Sequence, residues 1–232
     1  RPMAKKDYFF LHDTETTQDG MVADFAGVIC DRQGKIYTQI AVLVKDIFDD
    51  RENHPLFHIY GDAGDLWSKA GLPARYDRYN RMIDAGIRMV ASVSAINSWL
   101  AKAKSQYNPI LTAYNLAFDV GKCEHTAIDL TIFDKRFCLW YASVDRWAKT
   151  KKYRQFILEN HSFISPTGLG NMSYRTNAET MARFILGDPG YPDEPHTALE
   201  DIIDYELPIL RALVKGYPKK KWLNPVAWNW RE

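Results

Sequence analysis

Asp13 and Glu15 are separated by a single residue and follow the apolar, aromatic run Tyr8-Phe9-Phe10-Leu11-His12. On an extended chain, side chains two apart project to the same face, so the two carboxylates can share one metal ion or bracket two. The run reads as a central strand buried on both faces, and acids at its end lie at the C-terminal edge of a sheet, where α/β folds usually carry their sites. Asp-x-Glu alone is a weak signal, because charged pairs at this spacing are common on solvated strands. Asp119 follows a second strand-like run and opens a helix, so it can reach the same edge; the competing reading is a first-turn aspartate favoured by the helix dipole. In His196-Thr197-Ala198-Leu199-Glu200-Asp201, Thr197 to Glu200 has the Thr-x-x-Glu form of a capping box. With Thr197 as N-cap, His196 lies just outside the helix, which suits a mobile proton acceptor, and Asp201 is fixed in the first turn, which suits a rigid metal ligand. The plainer alternative is that His196 only closes the loop Gly190-Tyr191-Pro192-Asp193-Glu194-Pro195.

These residues need a sheet to hold them. Strand patterns follow the first run from Met21 to Cys30 and from Lys35 to Val44, with hairpin chemistry in Asp31-Arg32-Gln33-Gly34 between them, which predicts an antiparallel three-strand meander. From Lys45 to about Asp84 the chain is charged, aromatic and broken by Pro55, Gly61, Gly64, Gly71 and Pro73, as in an elaborated connection with short helices. Ile87, Val90, Val93, Ile96 and Leu100 recur at helical spacing and predict a packing helix from Ala85 to about Lys104. Next come a strand at Pro109–Tyr114, a helix from Asn115 to about Asp129, a strand at Arg136–Trp140 and a helix at Tyr141–Lys149. A looser segment with Pro166, Gly168 and Gly170 precedes a helix at Ala178–Leu186, stopped by Gly187-Asp188-Pro189-Gly190. A long helix from Ala198 to Lys215 ends the pattern. The expected class is α/β: a mixed sheet, its first three strands antiparallel and the later ones parallel, flanked by helices.

A chain of 232 residues can bury a core as one domain, expected over 3–217 with the connection at 45–84 and a basic, aromatic tail at 218–232. No stretch approaches the roughly 18 apolar residues of a membrane span. Cys30, Cys123 and Cys138 form no CxxC pair, which fits a reducing, cytoplasmic setting. Arg1-Pro2 before Met3 reads as an expression scar, and no signal peptide is visible. A net charge of +1 leaves any binding of nucleic acid to local clusters. One such cluster is Lys219-Lys220-Lys221-Trp222 with Trp228 and Trp230, cations mixed with aromatics as in single-strand binders; the indoles are expected to pack back onto the domain, with a role near phosphate left open for the lysines.

Taken together, Asp13-Thr14-Glu15-Thr16, Asn115-x-x-Phe118-Asp119 and His196-x-x-x-x-Asp201 resemble, in order and spacing, the three motifs of the DEDDh 3′→5′ exonuclease superfamily, which includes the proofreading subunit of bacterial DNA polymerase III and ribonuclease T. The resemblance runs from about Tyr8 to Lys215. It departs after the first motif, where many members have glycine following the second threonine and this chain has Gln18-Asp19-Gly20. The resemblance implies a ribonuclease H-like fold and two Mg2+ or Mn2+ ions held by Asp13, Glu15, Asp119 and Asp201, with His196 as general base. It makes Thr16, Thr17 and Asn115 candidates for gripping the terminal nucleotide, while Phe118 either touches a base or belongs to the core. The implied substrate is a nucleic-acid 3′ end, single-stranded DNA ahead of RNA. The implied bearer is a stand-alone nuclease like those of bacterial and phage genomes. An exoribonuclease, a non-catalytic binding module on the same fold and a nucleotide phosphohydrolase are the rival readings.

Overall fold

β1 (Tyr8–Thr16) alternates Phe9 and Leu11 toward one face with Phe10 toward the other, and all three are fully buried, as a strand covered on both sides requires. In the computed structural model, which describes residues 6–58, 68–164 and 173–226, β1 runs antiparallel to β2 (Val22–Asp31), which pairs antiparallel with β3 (Ile36–Val44). The turn between β2 and β3 is closed by Asp31 Oδ1, which accepts from the backbone of Gln33 and Lys35, with Gly34 at φ 80°. The meander is as expected.

Among the described residues, the connection after β3 holds one substantial helix, α1 (Leu72–Asp84), with Pro73 in its first turn where no amide hydrogen is missed. Residues 85–92 depart from the expected helix. Gly86 at φ 73° stops α1, and β4 (Met89–Ala91) adds a parallel edge strand beside β3. Ile87, Met89 and Val90 are exposed, so the apolar spacing there marks a sheet rim. Only at Ser92, whose Oγ accepts from Ala95 N, does α2 (Val93–Tyr107) begin.

β5 (Ile110–Ala113) lies parallel to β1 on its other side, α3 (Leu116–His125) follows, and β6 (Arg136–Cys138) completes the sheet order β4-β3-β2-β1-β5-β6. α3 stops short of Asp129, and β6 ends before Leu139, where α4 (Leu139–Ser143) starts and runs into a π-turn at Val144–Ala148. α5 (Lys151–Glu159), capped by Thr150, occupies part of the stretch read as loose. An antiparallel pair of short strands, β7 (Phe163–Ile164) and β8 (Ser173–Tyr174), precedes α6 (Ala178–Leu186), closed by Gly187 at φ 63°. The last long helix is a run of α7 (Ala198–Asp201), a π-turn at Ile202–Glu206 and α8 (Leu207–Val214), followed by α9 (Lys219–Leu223).

The mixed six-stranded sheet flanked by helices is the α/β architecture expected, and it is compatible with a ribonuclease H-like fold. Helices α1, α2 and α3 bury Phe10, Phe25 and Leu43 on one face; α4, α6, α8 and α9 bury Phe9, Leu11 and Val28 on the other. Trp222 of α9 is fully buried against Phe9 and Phe137, at ring separations of 5.6 and 5.1 Å, and Lys219 pairs with Asp7 at 2.6 Å. Trp228, Trp230, Arg1 and Pro2, with Gly61, Gly64, Pro166, Gly168 and Gly170, lie outside the described residues. Among the described residues no helix is long and apolar enough to cross a membrane.

Candidate metal centre

Asp13 and Glu15 lie inside β1, not beyond it, opposite Ala26 and Asp24 of β2. The period of two carries both onto the face of Phe9 and Leu11, but past the end of the apolar layer, where α4, α6 and α7 leave a cavity of about 490 Å³. Asp119, in the first turn of α3, reaches that cavity over the end of β5, its carboxylate fixed by the Thr14 hydroxyl at 2.7 Å. Asp201 enters from α7 and His196 from the loop before it. Five residues from three distant segments thus line one cavity. Ligand atoms of Glu15, His196 and Asp201 all lie within 4.8 Å of one another, a group able to hold a metal ion. Glu15, Asp119 and Asp201 are buried, and Asp13 is half-buried.

Crowding so many acids out of water opposes their ionisation. Burial, then the neighbouring carboxylates of Glu206, Asp119, Glu15 and Asp201, push Asp13 well above the usual range. Burial likewise raises Asp119 to about 7, against the pull of the Thr14 hydroxyl, and Asp201 to about 11, helped by Glu15, Glu194 and Glu206. Glu15 rises only to about 7, because the guanidinium of Arg75, at 3.2 Å, works against burial.

The capping box does not form. Thr197 makes no side-chain cap bond and its Oγ1 has no partner, while Glu200 turns away to pair with Arg88 at 2.7 Å. The cap comes from far along the chain: Asp24 Oδ2, fully buried in β2, accepts from Ala198 N and from the Tyr79 hydroxyl, both at 2.9 Å. His196 is held at φ 56°, a left-handed backbone that is costly outside glycine. Its neighbourhood fixes it there. His196 N donates to Asp201 Oδ1 at 3.2 Å, Arg75 donates to His196 O at 3.4 Å, and Arg78 donates to Pro195 O at 2.5 Å. The imidazole is 28% exposed, with Nδ1 3.9 Å from Glu194 Oε2.

Of the other expected contacts, Asn115 lines the main cavity at φ 74°, a conformation asparagine tolerates better than most residues. Phe118 is 44% exposed, not core, with Lys122 Nζ 5.1 Å from its ring centre. Thr16 and Thr17 line an adjoining cavity of about 660 Å³, together with Phe57, Phe118, Lys122 and His125. The Thr17 hydroxyl is engaged in its own turn, donating to Asp19 at 2.5 Å and accepting from Met21 N.

Several wall residues carried no motif. Glu194 and Glu206 add two carboxylates, Tyr114 and Trp140 add rings, and Arg175 adds a cation. Trp140 Nε1 donates to Thr176 Oγ1 at 3.0 Å, and Tyr114 bonds the Thr176 carbonyl, so the strand-to-helix link before α6 is pinned as one wall. Asp24 was legible only as an acid inside an otherwise apolar strand, and Arg75 as one of several charges in a long connection.

Comparison of the chain with protein-family models, curated proteins and solved structures returns no match.

Proposed function

We propose that this protein is a divalent-metal-dependent 3′→5′ exonuclease of the DEDDh type, acting on single-stranded nucleic acid, DNA ahead of RNA. The observation that carries the reading is the convergence of Asp13, Glu15, Asp119, His196 and Asp201 on one cavity. The donor set is carboxylate oxygen with one imidazole and no thiolate, which suits Mg2+ or Mn2+ better than a closed zinc site. Its excess of buried acid is the kind of arrangement that a dication relieves, so the residues present fit the group.

Asp13, Glu15, Asp119 and Asp201 would hold two such ions. When bound, these supply Lewis acidity toward the phosphodiester and a water made acidic enough to attack it near neutral pH. The chain's own residues do the rest. The His196 imidazole takes the proton of the attacking water, the role of a general base. Arg75 holds the Glu15 carboxylate in place from behind. Phe118 and Phe57, both about two-fifths exposed, offer ring faces on which unpaired bases can stack, and such stacking favours a single strand. Lys122 and Arg175 place positive charge on the walls of the cleft, where phosphates would run.

The test is incubation of 5′-end-labelled single-stranded DNA and RNA with the protein in Mg2+, in Mn2+ and in excess chelator, with Asp13→Asn in parallel. Stepwise shortening from the 3′ end that needs metal and Asp13 is the expected result. Hydrolysis of free nucleotides alone would make it a phosphohydrolase, retained binding without cleavage a binding module, and full activity in chelator would end the two-metal reading.

A further inference from the structure

Glu206 stands five residues after Asp201. Five steps of an α-helix carry a side chain about 140° round the axis, away from its starting face. Here the intervening residues Ile202–Glu206 form a π-turn, whose i→i+5 bonding takes up one extra residue and returns Glu206 to the side of Asp201. Both side chains line the same cavity. The π-turn is anchored from outside the helix: Pro208 has no N–H for the Asp204 carbonyl, and the Tyr191 hydroxyl donates to that oxygen at 2.8 Å. A helix that departs from regular bonding at this position presents an acid that a regular one would turn aside.

The carboxylate so presented is only 4% exposed, and its Oε2 has no hydrogen-bond partner. A buried, unpaired carboxylate is among the most costly groups a protein can keep. Its surroundings add to the cost: burial first, then Asp119, Glu194 and Glu15, push its pKa well up. Glu206 lines the cavity together with Asp13 and Asp119, outside the tight group of Glu15, His196 and Asp201.

We infer that Glu206 is a fifth acidic residue of the metal centre, one whose unpartnered carboxylate oxygen would accept a hydrogen bond from water bound to a cation held there. The inference rests on the metal-dependent reading above. Mg2+ and Mn2+ sites commonly keep several waters, which need oriented acceptors, and outer acceptors of this kind typically account for about 10- to 100-fold in metal affinity. Glu206 is a positioning residue in this scheme and touches no substrate.

Titration of the metal-free protein with Mn2+ by calorimetry, without substrate, tests it. Glu206→Gln keeps the shape but removes the charge, and is expected to bind Mn2+ about 10- to 100-fold more weakly than the wild type, with Glu206→Asp between the two. A merely structural glutamate would leave Mn2+ affinity unchanged in Glu206→Gln, and that result overturns the inference while the exonuclease reading stands. A wild type that binds no Mn2+ overturns both. If Glu206→Gln does not fold, Glu206→Asp alone carries the comparison: weaker Mn2+ binding supports the inference and wild-type affinity overturns it.

Discussion

The backbone of His196 is strained, and its three neighbouring hydrogen bonds to Asp201, Arg75 and Arg78 keep it so. A non-glycine residue held in the left-handed region typically costs about 1–3 kcal/mol, and such strain clusters at functional sites because it aims a side chain that a relaxed loop would not. In this case the aimed group is an imidazole beside Glu15 and Asp201. Two roles fit that position: general base or metal ligand. Substituting alanine separates them. His196→Ala is expected to slow single-turnover cleavage by about 10²- to 10⁴-fold, the usual share of general acid–base catalysis. Mn2+ affinity should stay near the wild-type value. Cleavage at the wild-type rate would leave His196 a loop residue, and a collapse of Mn2+ affinity would make it a ligand.

At the scale of elements, three arginines from the connection after β3 hold the segment that carries His196. Arg75 and Arg78 of α1 bond Glu15 and the backbone of Pro195 and His196, and Arg88, just before β4, sits between Asp24 and Glu200 with its side chain 1% exposed. Replacing Arg88 with Met strands Asp24, which caps α7 and is fully buried. Breaking a buried pair from one side costs about 3–5 kcal/mol, so Arg88→Met should lower the unfolding free energy in urea by that amount; a loss under about 1 kcal/mol would show that Arg88 is dispensable. This clip also explains which features the sequence discloses and which it hides. The strand Tyr8–Thr16 and its two acids are legible because a period of two needs no partner to be read. Thr197 to Glu200 misleads because the cap is supplied by Asp24, 174 residues away in sequence, and the glutamate of the apparent box finds a stronger partner in Arg88. Residues 85–92 show helical spacing, yet Gly86 and the Ser92 cap confine the helices to either side, and the open edge of β3 takes the segment as a strand. Glu206 is invisible for a related reason: only the π-turn brings it to Asp201's side, and regular helical spacing points it away.

For the molecule as a whole, the site is a standing charge imbalance, and its sign fixes how stability should respond to pH. Glu15 and Asp119 titrate near 7, Glu194 near 8 and Asp201 near 11 in the folded protein, raised in each case first by burial, whereas in the unfolded chain such groups titrate near 4. The folded state therefore binds more protons, and its stability is fully present below about 4 and is lost as pH rises through the folded values. His12, buried and neutral with its pKa lowered to about 4 by burial, works in the opposite direction: its contribution is complete above the unfolded value of about 6.5 and fades as pH falls toward 4. Four acids outweigh one histidine between pH 5 and 8. In chelator, the urea midpoint is expected to fall by an amount corresponding to several kcal/mol across that window, since a tenfold change in a group's proton affinity on folding corresponds to about 1.4 kcal/mol. Saturating Mn2+ should remove most of the fall, because the cation neutralises the ionised carboxylates and binds only the folded arrangement. A midpoint that stays flat from pH 5 to 8 in chelator would mean that the acids are not crowded as the cavity shows them. A fall that Mn2+ leaves untouched would mean that the crowding serves something other than a dication.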